Sequence, residues 1–173
     1  DAKVRTAMVR FGFLCALACD TNSRTRLHVQ QGGVLRFMGD AHLGHGTRMI
    51  VREGAEMVLG DNFAVSSNST IQCYDKVVFG SDVQFAWECL VMDSDTHNIL
   101  DEDGKVINHP SPVYVGNRVW IGARSTILKG SSIPDDTVIG ACSLVVAGRE
   151  LKDHSVIAGQ PARSLRTIGG WSL

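Results

Sequence analysis

Stepping by six from Val115 lands on Ile121, Ile127, Ile133, Ile139, Val145, Leu151 and Ile157, so eight consecutive positions are all Val, Ile or Leu. If about a quarter of residues are of those types, chance agreement is roughly one in 10^5. A helix places apolar residues at a period near 3.6 and a half-buried strand at a period of 2, so neither explains a beat of six. Four residues beyond each aliphatic position the side chains are mostly small, as at Ser125, Ser131, Thr137, Ser143 and Ser155. One residue beyond stand Gly116, Gly122, Gly140 and Ala158, the last three spaced by eighteen. Six nested in eighteen describes a triangular coil: three flat sides, each a short strand, joined by tight corners. The aliphatic residue points into a narrow prism. A small residue after it is expected to let the backbone turn. Coils stack on one another, so stability is nearly one-dimensional.

Upstream the beat is less regular. Phe79, Phe85 and Val91 keep one register, while Leu59, Val65 and Ile71 keep another, offset by two; Phe37-Met38-Gly39 and Leu43-Gly44 suggest the first coils. Such slips imply corners with extra residues. Residues 94–114 interrupt the rhythm altogether. Their Ile99–Ile107 stretch reads as a small hairpin around Asp103-Gly104, and Pro110 and Pro112 lead back into register. The expected organisation is one all-β domain over residues 34–162 with a loop extruded at about 94–114. A lead-in or cap over 1–33 precedes it and a tail over 163–173 follows.

The remaining composition excludes several classes. The 173 residues carry 17 basic and 18 acidic side chains for a net charge of −1, which gives no electrostatic reason to expect nucleic acid. No apolar run approaches the ~20 residues of a membrane helix, so no membrane insertion is expected. The apolar Phe11–Cys19 stretch is too short to span, and Asp-Thr-Asn follows it rather than a small-x-small cleavage site, so a secretory signal is not expected either. Five cysteines at 15, 19, 73, 89 and 142 have no regular spacing. They are expected to be small buried apolar residues in a reducing, cytoplasmic setting.

The segments Val115-Gly-Asn-Arg-Val-Trp-Ile-Gly-Ala, Ile139-Gly-Ala-Cys-Ser-Leu-Val-Val and Ile157-Ala-Gly-Gln-Pro-Ala-Arg-Ser-Leu-Arg166 resemble the C-terminal half of the hexapeptide-repeat acyltransferases. Within that family they look like the maltose/galactoside and capsular-polysaccharide O-acetyltransferases. Met92-Asp-Ser-Asp-Thr-His97-Asn-Ile, before the extruded loop, is similar to the segment that carries the family's catalytic histidine. The resemblance implies a left-handed parallel β-helix, an exception to right-handed crossovers. It implies a homotrimer with active sites between neighbouring prisms, and acetyl-CoA as donor. His97 is then the general base. Gly140 and Ala141 would line the CoA groove, and Arg163 and Arg166 match the family's Pro-x-Arg-x-x-Arg ending at the phosphates, with Lys129 a weaker candidate. The acceptor-binding positions fall near Ser66 and Tyr74, so Asn68 and Asp75 are the neighbouring candidates. Val146-Ala147 replaces the Thr-Lys pair of the galactoside enzymes, which leaves only backbone for contact there.

The residues themselves suit that chemistry. Acetyl transfer from a thioester needs a base, donors for the oxyanion and a leaving thiol. Neutral imidazole suits the first because its pKa lies near working pH, and a histidine at the root of a long loop projects into solvent or a cleft. Asp93 or Asp95, expected to share a side with His97, or a backbone carbonyl, would fix its tautomer. Backbone N–H groups at Gly122-Ala123 would meet the oxyanion. Trp120 would wall the cleft, and Trp87 with Glu88 would shape the acceptor pocket. The expected reaction is O-acetylation of a sugar or glycan precursor. N-acetylation of an amino sugar and a non-catalytic trimeric scaffold are the alternatives. A zinc hydrase on the same prism needs three converging histidines, and the six present include no His-x4-His pair; no metal is expected.

Overall fold

The computed structural model describes residues 8–13 and 22–172. The first coil holds β1 (Val9–Phe13), β2 (Arg26–Val29) and β3 (Val34–Phe37). The second holds β4 (Ala41–Gly44), β5 (Arg48–Val51) and β6 (Glu56–Leu59). The third holds β7 (Phe63–Ser67), β8 (Thr70–Cys73) and β9 (Lys76–Phe79), and the fourth β10 (Gln84–Trp87), β11 (Leu90–Met92) and β12 (Val113–Val115). Two-residue strands follow: β13 (Trp120–Ile121), β14 (Thr126–Ile127) and β15 (Ser132–Ile133), then β16 (Val138–Ile139) and β17 (Leu144–Val145). The longer β18 (Ser155–Gly159) and β19 (Ala162–Thr167) close the end. First strands stack into sheet A in the order β1-β4-β7-β10-β13-β16-β18-β19, second strands into sheet B, third strands into sheet C. Every ladder is parallel except β18–β19, whose antiparallel hairpin covers the last coil edge. This is a left-handed β-helix of about six turns, without helices among the described residues.

The hexad residues do what their spacing requires. Val115, Ile121, Ile127, Ile133, Ile139, Val145 and Ile157 are all buried, and Leu151 packs against them half-buried. The small residues four places on also turn inward, where Ser125 and Ser143 hydroxyls donate to the Gly140 carbonyl and Ser131 to the Val145 carbonyl. Lower in the prism Phe63, Phe79 and Phe85 fill the interior with ring centroids 5.1–5.7 Å apart.

The glycines have a different duty from the one expected. The left-handed backbone conformation falls two residues beyond them, at Arg118, Arg124, Gly130, Asp136, Cys142, Gly148 and His154, again every six residues. Gly122 instead makes room for the next coil: a Cβ there would lie 2.6 Å from both the Ala141 nitrogen and the Ile139 oxygen. Stacking distance, not turning, demands glycine one place after the aliphatic residue.

The register slips share one location. Inward residues are six apart across the A-to-B corner (Leu43 to Met49, Val65 to Ile71, Phe85 to Val91) and across the C-to-A corner (Leu59 to Val65, Phe79 to Phe85). Across the B-to-C corner the interval is ten from Met49 to Leu59, eight from Ile71 to Phe79, twenty-four from Val91 to Val115, and six from Ile127 to Ile133. From the second coil upward all surplus chain therefore leaves the prism along one edge, and the largest surplus is the loop after β11; the first coil differs, with sixteen residues from Phe11 to Leu27 across its A-to-B corner. The segment read as a lead-in supplies β1 and β2 to sheets A and B; its parts 1–7 and 14–21 lie outside the described residues, as do Cys15, Cys19 and most of the Phe11–Cys19 stretch. The tail region begins with β19. Among the cysteines, Cys73 and Cys89 are buried as expected, but Cys142 is exposed, because it occupies a left-handed corner position whose side chain points outward. No described helix is long and apolar enough to cross a membrane.

Candidate active site

β11 ends at Met92, and the chain leaves the prism through Asp93. Asp93 turns inward and is fully buried. Its carboxylate accepts three backbone N–H groups from the coil below: Tyr74 at 2.7 Å, and Asp75 and Lys76 at 2.8 Å. Burial pushes its pKa up, while the three donors pull it partly back. Asp93 thus pegs the loop's departure point to the corner that carries Asp75.

Asp95 points the other way, into solvent, so the two acids do not share a side with His97. Lys129 reaches across from the coil above to Asp95 Oδ2 at 2.6 Å, and its ammonium also donates to the Asn108 and His109 carbonyls. Asn108 Nδ2 donates to the same Asp95 oxygen and to the His97 carbonyl, each at 2.8 Å, while its Oδ1 accepts the Ile99 N–H. These contacts staple the two feet of the loop. The hydrogen bond from Lys129 holds the Asp95 carboxyl below its ordinary range. Lys129, weighed above for phosphate, stands here as a strut under the loop.

His97 is exposed at the tip of this staple. Neither acid hydrogen-bonds its ring; Nδ1 lies 3.0 Å from Thr96 Oγ1. In the tautomer where Nδ1–H donates to that hydroxyl, Nε2 carries the free lone pair a base needs. Thr96 itself sits at φ 66°, a conformation unusual for a β-branched residue. Its N–H donates to Ser94 Oγ at 3.1 Å. Thr96 and Asn108 were not singled out from the sequence; nothing in their local pattern separates them from ordinary loop residues.

The other candidates lie elsewhere. Asn68, Trp87, Gly122, Ala123, Gly140 and Ala141 all occupy the A-to-B corner, stacked coil upon coil. Trp87 is half-buried there, with the Glu88–Arg124 ion pair at 2.7 Å beside it. From Gly122 upward the coils stack closely on this edge, and a Cβ at Gly140 would meet the Ala158 Cβ at 2.9 Å. The Gly122 N–H donates to the Ile139 carbonyl at 2.8 Å. Trp120 projects from the outer face of sheet A, 6.2 Å from the Trp171 ring of the C-terminal segment. Arg163 and Arg166 are exposed on β19, opposite Ala158 and Val156. The buried thiols are inert: burial pushes Cys73 up to about 12 and raises Cys89 as well.

The two groups of candidates are thus on different edges. His97, Asp75 and Asp95 share the B-to-C edge with Lys129, whereas Gly122, Ala123, Gly140 and Ala141 lie along the A-to-B edge. The sheet B face carrying β11 and β14, on the order of 10–15 Å wide, separates them. Proton transfer needs contact near 3 Å.

No family model matches the chain. It is 33% identical over 117 residues to the galactoside O-acetyltransferase of Escherichia coli, covering 66% of this chain and 56% of that protein. The chain therefore spans little more than half the length of that curated relative. The polySia-specific acetyltransferase NeuO superposes with a TM-score of 0.75 at 20% identity, covering 86% of this chain and 68% of its own. A mutant of AntD, an N-acyltransferase from Bacillus cereus in complex with dTDP and coenzyme A, superposes at 0.66 and 14% identity, covering 85% and 82%. With its hexad prism and extruded loop, the chain has the fold of the left-handed β-helix acetyltransferases, and its relatives are acetyltransferases of the hexapeptide-repeat kind.

Proposed function

We propose that this chain transfers an acetyl group from acetyl-CoA to a hydroxyl of a sugar or glycan precursor, in clefts between copies of a homotrimer. The separation of the two edges supports this reading. A base on one edge and the small residues proposed for the donor on another cannot meet within a single copy, but they would meet if the B-to-C edge of one copy faced the A-to-B edge of the next. Gly122, Ala123, Gly140 and Ala141 fit a donor lying against the backbone, and Arg163 and Arg166 extend that edge with cations suited to phosphates.

In the mechanism, Thr96 Oγ1 holds Nδ1–H and His97 Nε2 takes the proton of the attacking hydroxyl. The oxyanion meets the Gly122-Ala123 corner, where the Gly122 N–H serves the ladder and the Ala123 N–H is the donor. The imidazolium returns its proton to the departing thiolate. Asp93 and Lys129 act at one remove, by fixing both feet of the loop. Asn68, Trp87 and Asp75 stand where the acceptor enters.

An amine acceptor would use the same base, so acceptor screening has to decide between O- and N-transfer. Acetyl-CoA turnover is measured over neutral sugars, acidic sugars and amino sugars with wild type and His97→Ala. The substitution is expected to lower turnover at least ~100-fold while CoA affinity stays nearly intact. Equal turnover in both proteins would overturn the assignment of the base, and retained biological function without turnover would favour the scaffold.

A further inference from the structure

A second cleft opens on the A-to-B edge, lower in the prism than Trp87. It encloses about 400 Å³ and is lined by Asn22, Ser23, Arg24, Arg26, Gly46, Arg48 and Asn68. Three corners stack to build it: the Gly46 N–H donates to the Ser23 carbonyl at 3.1 Å and the Asn68 N–H to the His45 carbonyl at 2.8 Å. Gly46, at φ 71°, is required as its floor, because a Cβ there would lie 2.0 Å from Asn68 Oδ1 and 3.0 Å from Ser23 Cβ.

The charges in it are unbalanced. Arg26 and Arg48 are register partners in adjacent parallel strands of sheet B, so two like charges stand side by side on one face. That arrangement is destabilising unless a counter-charge intervenes. No carboxylate answers them among the described residues: Arg48 Nε donates only to Thr70 Oγ1, at 3.3 Å, and neither Arg24 nor Arg26 forms an ion pair. Sheet C handles the same problem by alternation, with Glu56 taking Arg36 at 2.7 Å on one side and Lys76 at 3.0 Å on the other. Three guanidiniums around one cleft, two of them in register and none paired with a carboxylate among the described residues, make a site for an oxyanion, which planar guanidinium groups grip with paired hydrogen bonds.

We infer that this cleft binds an anionic group, a carboxylate or a phosphate, carried by the acceptor. Its acceptor role rests on the function proposed above; its affinity for an oxyanion does not. Arg24, Arg26 and Arg48 hold the charged part while Asn68, one coil nearer the reactive level, faces the neutral ring.

Two measurements test it. Calorimetric binding of pyrophosphate and of a hexuronate disaccharide, without CoA, is compared in wild type and Arg26→Gln/Arg48→Gln, with Arg26→Lys/Arg48→Lys as the charge-keeping control and far-UV dichroism verifying the fold. Affinity for at least one anion is expected to drop about tenfold or more in the glutamine variant, to be largely restored by lysine, and to weaken with added salt in wild type. The probe affected shows whether carboxylate or phosphate is the source. Second, the ratio of kcat/KM for a uronate-containing or nucleoside-diphosphate-linked acceptor to that for a neutral oligosaccharide should fall by a similar factor. Equal anion affinity in wild type and the glutamine variant, or no binding in wild type, overturns the inference. Anion binding without acetyl transfer to any acceptor would instead overturn the proposed function and leave the anion site standing.

Discussion

The upper and lower halves of the prism are built from the same hexad and differ at one corner. From Val113 to Ile157 the coils repeat every eighteen residues and their strands are two or three residues long until β18. From Ala41 to Phe85 the strands are four or five residues long and successive coils take twenty-two and then twenty residues, as Leu43 pairs with Val65 and Val65 with Phe85. The surplus sits wholly between sheets B and C. In these coils the A-to-B and C-to-A corners keep the six-residue step, whereas the third absorbs the insertion. That third edge is where His97 stands. A solenoid of this kind can grow chemistry on one edge without disturbing the ladder on its three faces, because each coil contacts only its neighbours.

The sharpest way to break this contrast is to make the third corner strict. Removing residues 94–111 would leave Val91 and Val115 six apart. The far-UV spectrum should stay that of a β-solenoid while acetyl transfer disappears, the base and both staples being gone. Loss of the fold instead would show that the loop is structural. Core truncation comes next: Ile139→Ala, fully buried in a strict coil, should lower unfolding free energy by about 2–5 kcal/mol in denaturant titrations. Leu35→Ala, half-buried in the first coil, should cost under about 2 kcal/mol. Equal losses would argue that the two halves are packed alike. Gly122→Ala should cost about 1–3 kcal/mol by forcing coils apart, and Gly54→Ala, whose added Cβ meets nothing within 4 Å, only the roughly 1 kcal/mol of its φ of 71°.

The smallest expected effect is that of pH on the staple. Asp95 is held below its ordinary value of 3.8 by Lys129. A depressed folded-state pKa adds stability above the unfolded value that disappears as pH falls through the folded one. Amide exchange at Ile99 and Ile107 should therefore quicken, relative to Ile127, once pH drops below about 4, and Asp95→Asn should produce part of that change at neutral pH. The pair is exposed, so about 0.5 kcal/mol is the scale.

The site was legible unevenly. His97 stood out because a histidine at the root of a long excursion has few structural duties. The roles of its neighbours did not. Asp93 and Asp95 look equivalent on paper, both two residues from the next acid or base, yet one enters the prism as a peg and the other meets Lys129 thirty-four residues away. Which way each points depends on where β11 ends. Thr96 as the partner of Nδ1 and Asn108 as the loop staple emerge only from the folded loop. Arg26 and Arg48 lie in the irregular lower coils, where twenty-two residues separate register partners and no constant step reveals the match.

What the amino-acid order determined by itself is the prism, since its interior is filled by a side chain recurring at a fixed short interval and each coil needs only the next to bury it. What tertiary structure alone decided is the distribution of chemistry over its edges. Edge position depends on how much chain each corner absorbs, and that is set by stacking contacts between residues about twenty apart, which no local pattern encodes.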